Sequence, residues 1–319
     1  MRRSIPWVLL LSAGAIFCAD EEFPPNAALQ YWQAFSHLSD ISKEERDQIT
    51  GQIEQIPPEK RAALAEKLVF VMKLLHRGAE ISKCDWGTDI KRDGIGALLP
   101  HLSKCRALAR AGCLVAQDHF DKRRAKEGVD VVFDVLALAR HTSSGDGTLI
   151  SKLVEVAIST LALDTLDRHI PTLPREELEK IEPRWNALPA ALPLEKVLQS
   201  EREIVRHLKA TFSNADDPKN RWIEGRNILD ELKVVGPEVR EAQFKAIESM
   251  YVELEYAMTR PYAEFQVAAR TLEEKAKDSG GLVKMLLPVL LPTREKIESV
   301  LTRQAMTRCA IQIVLKGEA

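Results

Sequence analysis

Residues 98–170 read LLPHLSKCRALARAGCLVAQDHFDKRRAKEGVDVVFDVLALARHTSSGDGTLISKLVEVAISTLALDTLDRHI, and this stretch decides the fold. Leu98, Leu102, Cys105, Ala109, Gly112, Ala116 and Phe120 recur at steps of three and four, which places them on one face of a helix. A charged run from Asp121 to Lys126 interrupts the stripe before Gly128. The stripe restarts with Val131, Val132, Val135, Leu136 and Leu138 and ends at His141. Ser143-Ser144-Gly145-Asp146-Gly147 has the composition of a turn. Thr148 is placed to cap a third helix carrying Leu149, Leu153, Val156, Ala157, Leu161, Leu163 and Leu166. Three stripes with short connections predict three antiparallel helices. Ala107, Ala109, Ala111, Gly112 and Ala116 are small enough to let neighbouring helices approach closely. This unit is expected to be the core on which the other helices pack.

Upstream, Asn26 is placed to cap a helix carrying Ala27, Ala28, Tyr31, Trp32 and Phe35. Ser42-Lys43-Glu44-Glu45 is a capping box for a second helix ending near Gln55, before Pro57-Pro58. A third helix is expected over 59–82. Cys84 to Gly96 is the longest irregular stretch of the N-terminal half. Downstream, a helix over 175–188 is kinked or broken by Pro183, and the three prolines of 183–193 mark a joint. Further helices are expected over 194–212, 221–234, 238–277 with a kink at Pro261, and 293–314. The last carries Ile297, Leu301, Ala305 and Cys309 at steps of four, and that stripe is expected to dock on the central unit through Cys105 or Cys113. No run alternates with period two for long enough to predict a strand. The expected fold is all-α, with antiparallel helical hairpins forming an extended bundle or an irregular α-superhelix. Its N-terminal helical part (26–182), joint (183–193) and C-terminal helical part (194–319) form either two units or one continuous domain.

The first nineteen residues place Arg2-Arg3 before a mostly apolar run from Ile5 to Phe17 and the small residues Cys18 and Ala19. This reads as a secretory signal peptide, followed by an acidic leader over 20–25. The run is shorter than the ~20 residues that span a bilayer. Leu282 to Leu291, the nearest later candidate, is broken by Pro288 and followed by Pro292, so no transmembrane segment is expected after cleavage. Export to the periplasm or beyond is expected. Without residues 1–19, whose only charges are Arg2 and Arg3, 43 basic and 47 acidic side chains leave a net charge of −4. That balance argues against a nucleic-acid partner.

An exported protein can hold disulfides, and Cys84, Cys105, Cys113 and Cys309 remain after cleavage. Cys105 and Cys113 lie ~12 Å apart along one expected helix, beyond the roughly 7 Å that a disulfide spans. Cys84–Cys105 with Cys113–Cys309, Cys84–Cys113 with Cys105–Cys309, and free thiols all stay open.

The chemistry-bearing motifs are few. No histidine follows a glutamate by three residues, and His-Glu-x-x-His, the phosphate-binding loop and the Gly-x-Ser-x-Gly elbow are absent. No metal and no cofactor is expected. Glu203 with His207 reads as an exposed helix pair, and Asp118-His119-Phe120-Asp121 as solvated surface. Cys84-Asp85-Trp86-Gly87 is the most informative irregular segment. Asp85 suits a turn cap and Trp86 a core plug; the functional reading is a polar binding pocket lined by Asp85, Trp86, Arg140 and His141.

The helix–turn–helix–turn–helix order of 98–170 is similar to tetratricopeptide-type hairpin arrays, without a second copy at a period near about 34 residues. Asn26-Ala27-Ala28-Leu29-Gln30-Tyr31-Trp32, Cys84-Asp85-Trp86-Gly87, Leu138-Ala139-Arg140-His141 and Thr148-Leu149-Ile150 resemble segments of uncharacterised exported helical proteins of planctomycete-type bacteria. The resemblance covers the first half of the chain. It implies export and an all-helical fold and brings no activity.

The expected function is that of an exported, non-catalytic helical scaffold that binds a protein or peptide partner in the cell envelope. The alternative is an envelope hydrolase using Asp85, Arg140 and His141. Export has a direct check: mass spectrometry of the protein from its native host should find an N-terminus near Asp20. A dominant form beginning at Met1 would refute it.

Overall fold

The computed structural model describes residues 24–94, 97–145, 147–213, 236–277, 279 and 281–317. Among these residues there is no strand, and thirteen α-helices pack together, as the all-α pattern predicts. The expected signal peptide, most of the acidic leader and the helix expected over 221–234 lie outside the described residues.

The central unit forms where the sequence places it, as α6 (His101–Asp121), α7 (Ala125–Thr142) and α8 (Leu149–Asp167). Arg123, in the left-handed region with φ 57°, turns the chain from α6 into α7. Thr148 caps α8 by accepting the Ser151 N–H. Cys105, Leu108, Cys113, Leu114, Val132 and Leu138 are fully buried between the helices. Gly112 sets the spacing: a Cβ there would lie 2.5 Å from Val135 Cγ2 and 3.3 Å from Leu75 Cδ2. Close approach of α6 to its neighbours therefore requires glycine at this point.

The N-terminal helices cover this unit. Asn26 caps α1 (Ala27–Ser39), and Ser42 with Glu45 forms the capping box of α2 (Lys43–Thr50). The single helix expected over 59–82 is two, α3 (Pro58–Lys67) and α4 (Val69–Ala79), parted at Leu68. The break lets α3 pack on α6 while α4 packs on α1 and α7. The irregular segment after it contains the short α5 (Ile90–Asp93), capped by Asp89.

Proline punctuates less than expected. α9 (Arg175–Ala187) runs through Pro183, so the connection to α10 (Leu194–Ser213) is residues 188–193. After α11 (Pro237–Met258) and α12 (Tyr262–Lys277), the last helix α13 (Gly281–Lys316) starts twelve residues before the expected Thr293 and continues through Pro288 and Pro292. Each proline removes one helical N–H. Burial of Val283 and Leu291 in the C-terminal core holds the segment helical regardless.

Two hydrophobic clusters result. One joins α1 to α9 and takes in Ile311 of α13; the other joins α10 to α13 and takes in Leu149 of α8. No helix among the described residues is long and apolar enough to cross a membrane.

All four described cysteines are free thiols, three of them buried and Cys309 exposed. The expected docking of α13 through Cys309 is thereby corrected. At 3.6 residues per turn, a row stepping by four rotates about 40° per step, so Cys309 lies about 120° around the helix from Ile297. Ile297, Val300, Thr307 and Ile311, at steps nearer 3.6, are the buried row, while Leu301 is 46 % exposed. In the folded chain without residues 1–19, a maleimide should therefore modify one thiol quickly, and Cys309→Ser should abolish that reaction. Quick modification of Cys105 or Cys113 would contradict a closed central unit.

Candidate functional site

The segment Cys84–Gly87 is sewn to both ends of its surroundings. The Asn26 side-chain amide accepts the Asp85 N–H at 2.9 Å and donates to the Asp85 carbonyl at 2.8 Å, while capping α1. The Asp85 carboxylate accepts the Gly87 N–H at 2.9 Å, and Gly87 supplies the required positive φ of 73°. Ser144 Oγ donates to the Cys84 carbonyl. The Trp86 indole N–H donates to the His141 carbonyl at 2.7 Å, at the C-terminal end of α7, where the Ser144 backbone N–H at 3.2 Å and the Ser144 hydroxyl at 2.8 Å donate to the same oxygen.

Around that bond lies a buried aromatic cluster. Trp86 stacks on His101 at 4.5 Å and packs against Tyr31, Trp32 and Phe35 of α1. Tyr31 Oη lies 2.8 Å from His141 Nδ1. Burial pushes the His141 pKa down to about 4 despite the nearby Ser82 backbone, and does the same to His101 despite Thr142. Both rings are neutral at neutral pH. Nδ1 of His141 is then the acceptor and the Tyr31 hydroxyl the donor, because the phenol is pushed well above its ordinary range by burial.

The four residues read as one pocket therefore separate. Trp86 and His141 meet inside the core, Asp85 is a turn cap at the surface edge, and Arg140 turns to Glu155 of α8. Arg140 donates to Glu155 at 3.1 Å; the same buried carboxylate takes the Ser143 hydroxyl and, at 2.7 Å, the Lys152 ammonium. Lys152 also donates to the Leu192 carbonyl, tying the 188–193 connection to α8. The cysteines offer no nucleophile here: burial raises the Cys84 and Cys113 thiols to about 12, so both stay protonated.

Other charged clusters are structural as well. Asp118, expected at the surface, is buried and holds Lys122 at 2.8 Å and Arg124 at 3.2 Å across the α6–α7 turn. Glu203 pairs with Arg206 rather than His207. His76 lies 3.1 Å from the partly buried Asp134 beside a hollow of about 200 Å³, which Phe133 and Arg184 also line. The Asp134 hydrogen bond raises His76 to about 9, whereas burial raises Asp134. The 3.1 Å contact at this water-accessible position makes the two an ion pair at neutral pH. The described lining of that hollow contains no hydroxyl or thiol. No group of three metal-ligating side chains occurs among the described residues.

The larger concavity was not foreseen from the sequence. A groove of about 780 Å³ follows α13 from Glu295 to Val314, walled by Asp167 and Ile170 at the end of α8 and by Tyr262 at the start of α12. Its length is about 28 Å at 1.5 Å per residue. Met306, 66 % exposed, stands in it; Ala310 and Val314 follow at steps of four, both half-buried, with Val314 packed against the N-terminal core. The signal was present as apolar residues on more than one side of the last helix. One stripe alone was assigned to it.

The buried histidines fix an acid limit. Unfolded, each titrates near 6.5; folded, near 4. The unfolded chain thus binds protons first as pH falls, and stability present above pH 6.5 is lost towards pH 4, on the order of 3 kcal/mol per histidine. Urea midpoints should drop clearly between pH 7 and 4.5. Tyr31→Phe, which leaves His141 Nδ1 without its donor, should cost about 1–3 kcal/mol at pH 7. Equal midpoints at the two pH values would mean that these rings are not buried neutral.

Comparison with known proteins finds no matching family model, no matching curated protein and no matching solved structure, so the functional reading rests on geometry and chemistry alone.

Proposed function

We propose that this protein is an exported, non-catalytic helical binding protein that holds a segment of an envelope protein or peptide in the groove along α13. The groove carries the reading: it is long, open and floored by an exposed methionine. Contiguous exposed apolar surface on a folded protein is the usual mark of an interaction site. Methionine adapts its shape to partners of different outline. The basic and apolar start of the chain supports export.

The residues of the alternative hydrolase are engaged elsewhere. Asp85 caps a turn, Arg140 neutralises Glu155, and His141 is buried and bonded to Tyr31. An active site gathers perturbed groups in a cleft with access for a substrate. Here the two most depressed histidines, His101 and His141, sit in the core, and the large cleft lies elsewhere. This distribution favours binding over catalysis.

The test is selection from a displayed library of random peptides against the protein without residues 1–19. Enriched peptides should bind the parent with micromolar affinity and lose tenfold or more on Met306→Asp. If no sequence is enriched, or if Met306→Asp binds the enriched sequences as the parent does, the groove is not the binding surface.

A further inference from the structure

We infer that a second copy of this chain covers the outer face of α13, the two copies of the helix pairing antiparallel about a two-fold axis. The face lies outside the groove, and the inference stands without the groove as a binding surface.

Composition marks the face. Eight residues between Leu301 and Ile313 are exposed, and Arg308 is the one charged residue among them. Glu182 already neutralises it. On α12, by contrast, six of the ten exposed residues are charged: Glu264, Arg270, Glu273, Glu274, Lys275 and Lys277. Loss of charge from an exposed surface, with methionine and arginine retained, is the compositional mark of a protein interface. Leu301, Ala305, Cys309 and Ile313 form a row at steps of four along the face, with Leu301 46 % and Ile313 45 % exposed. None of the four lines the groove. The spacing marks this row for docking, and no described element covers it.

Shape selects the partner. The row is the ridge of a single helix and not a hollow. An extended segment laid along a ridge would keep most of its own surface in water, so the matching surface is another ridge. Rows at steps of four on two helices interlock when the helices cross at about −50°. Such a crossing needs small side chains where the helices meet and accommodates large ones on either side. The row has that order, with Ala305 and Cys309 in the middle and Leu301 and Ile313 outside. It reads the same in both directions, large–small–small–large, so it complements its own antiparallel copy. A two-fold axis at the level of Thr307 sets Leu301 of each copy near Ile313 of the other, and Ala305 near Cys309. That reciprocity is what an interface between identical subunits requires. Beyond the row, the exposed Lys316 comes opposite Glu298, which already holds Arg294 at 2.6 Å. The ends are therefore close to neutral, and the apolar row carries the pairing. One helix crossing buries less than the roughly 1,200 Å² of a stable complex, so the dimer is reversible.

Sedimentation of the reduced protein without residues 1–19, from about 1 to 200 µM, spans the range of a weak complex. The mass should rise with concentration from monomer towards dimer. Ala305→Glu and Leu301→Glu should each weaken association tenfold or more, and Ala305→Ser should leave it within twofold. All three substitutions fall at exposed positions, and unchanged circular dichroism would show the variants folded. A short bismaleimide reads the orientation. In the antiparallel pair the two Cys309 residues lie about 6 Å apart along the axis, whereas two cysteines at 301 would lie about 18 Å apart. The parent should cross-link readily, and Leu301→Cys in a Cys309→Ser background should not. A chain that stays monomeric at about 200 µM overturns the inference. So does a dimer that Ala305→Glu leaves intact, since it forms through another face. Equal cross-linking at 301 and 309 overturns the antiparallel pairing.

Discussion

The hydrogen bond from the Trp86 indole to the His141 carbonyl is the contact on which the N-terminal half depends. It joins an irregular segment to the end of α7 and brings a large aromatic side chain into the space between α1 and α6. A buried indole needs an acceptor, and a helix C-terminus has carbonyls to spare. The neighbouring contacts make sense only with Trp86 in place: Asn26 pairs with the backbone of Asp85, Ser144 holds the Cys84 carbonyl, and Tyr31 reaches His141. Segments more than a hundred residues apart in the chain thus share one junction. Its polar groups close the core at this point.

The central unit and its caps were legible because they rest on local chemistry. Asn26, Ser42 and Thr148 accept backbone N–H groups within three residues of themselves, so the sequence alone names their partners. Gly112 was legible as a small residue on a packed face, and its contact with Val135 gives the reason. What failed needed tertiary information. Asp118 is indistinguishable from a surface acid until the turn after α6 folds Arg124 back onto it. Pro288 and Pro292 read as breaks because the burial that opposes them comes from α11 and α12. The stripe of α13 was misassigned because a row at steps of four and a row near 3.6 begin at the same Ile297 and diverge only over several turns. Arg140 and His141 were read as neighbours in one pocket. Adjacent helical residues point about 100° apart, and here they serve different neighbours, Arg140 reaching Glu155 of α8 and His141 reaching Tyr31 of α1.

The groove itself follows from how α13 is attached. Against α8 and α9 the helix is held largely by polar contacts. Asp167 accepts from Arg303 and from the Thr307 hydroxyl at 2.6 Å, Arg308 pairs with Glu182, and the Leu315 carbonyl accepts from Arg175. Exposed ion pairs contribute little individually, about 0–1 kcal/mol. The Asp167–Arg303–Thr307 contact ties α13 to the end of α8, and Ile311 enters the N-terminal core with Val314 and Leu315 packed against it. Met306 is left outside because the row that docks α13 lies on the other side of the helix. An exposed apolar face would be an unfavourable arrangement in a chain selected for packing alone, since burying it would add ~25 cal/mol per Å². Keeping it open makes sense where something else covers it.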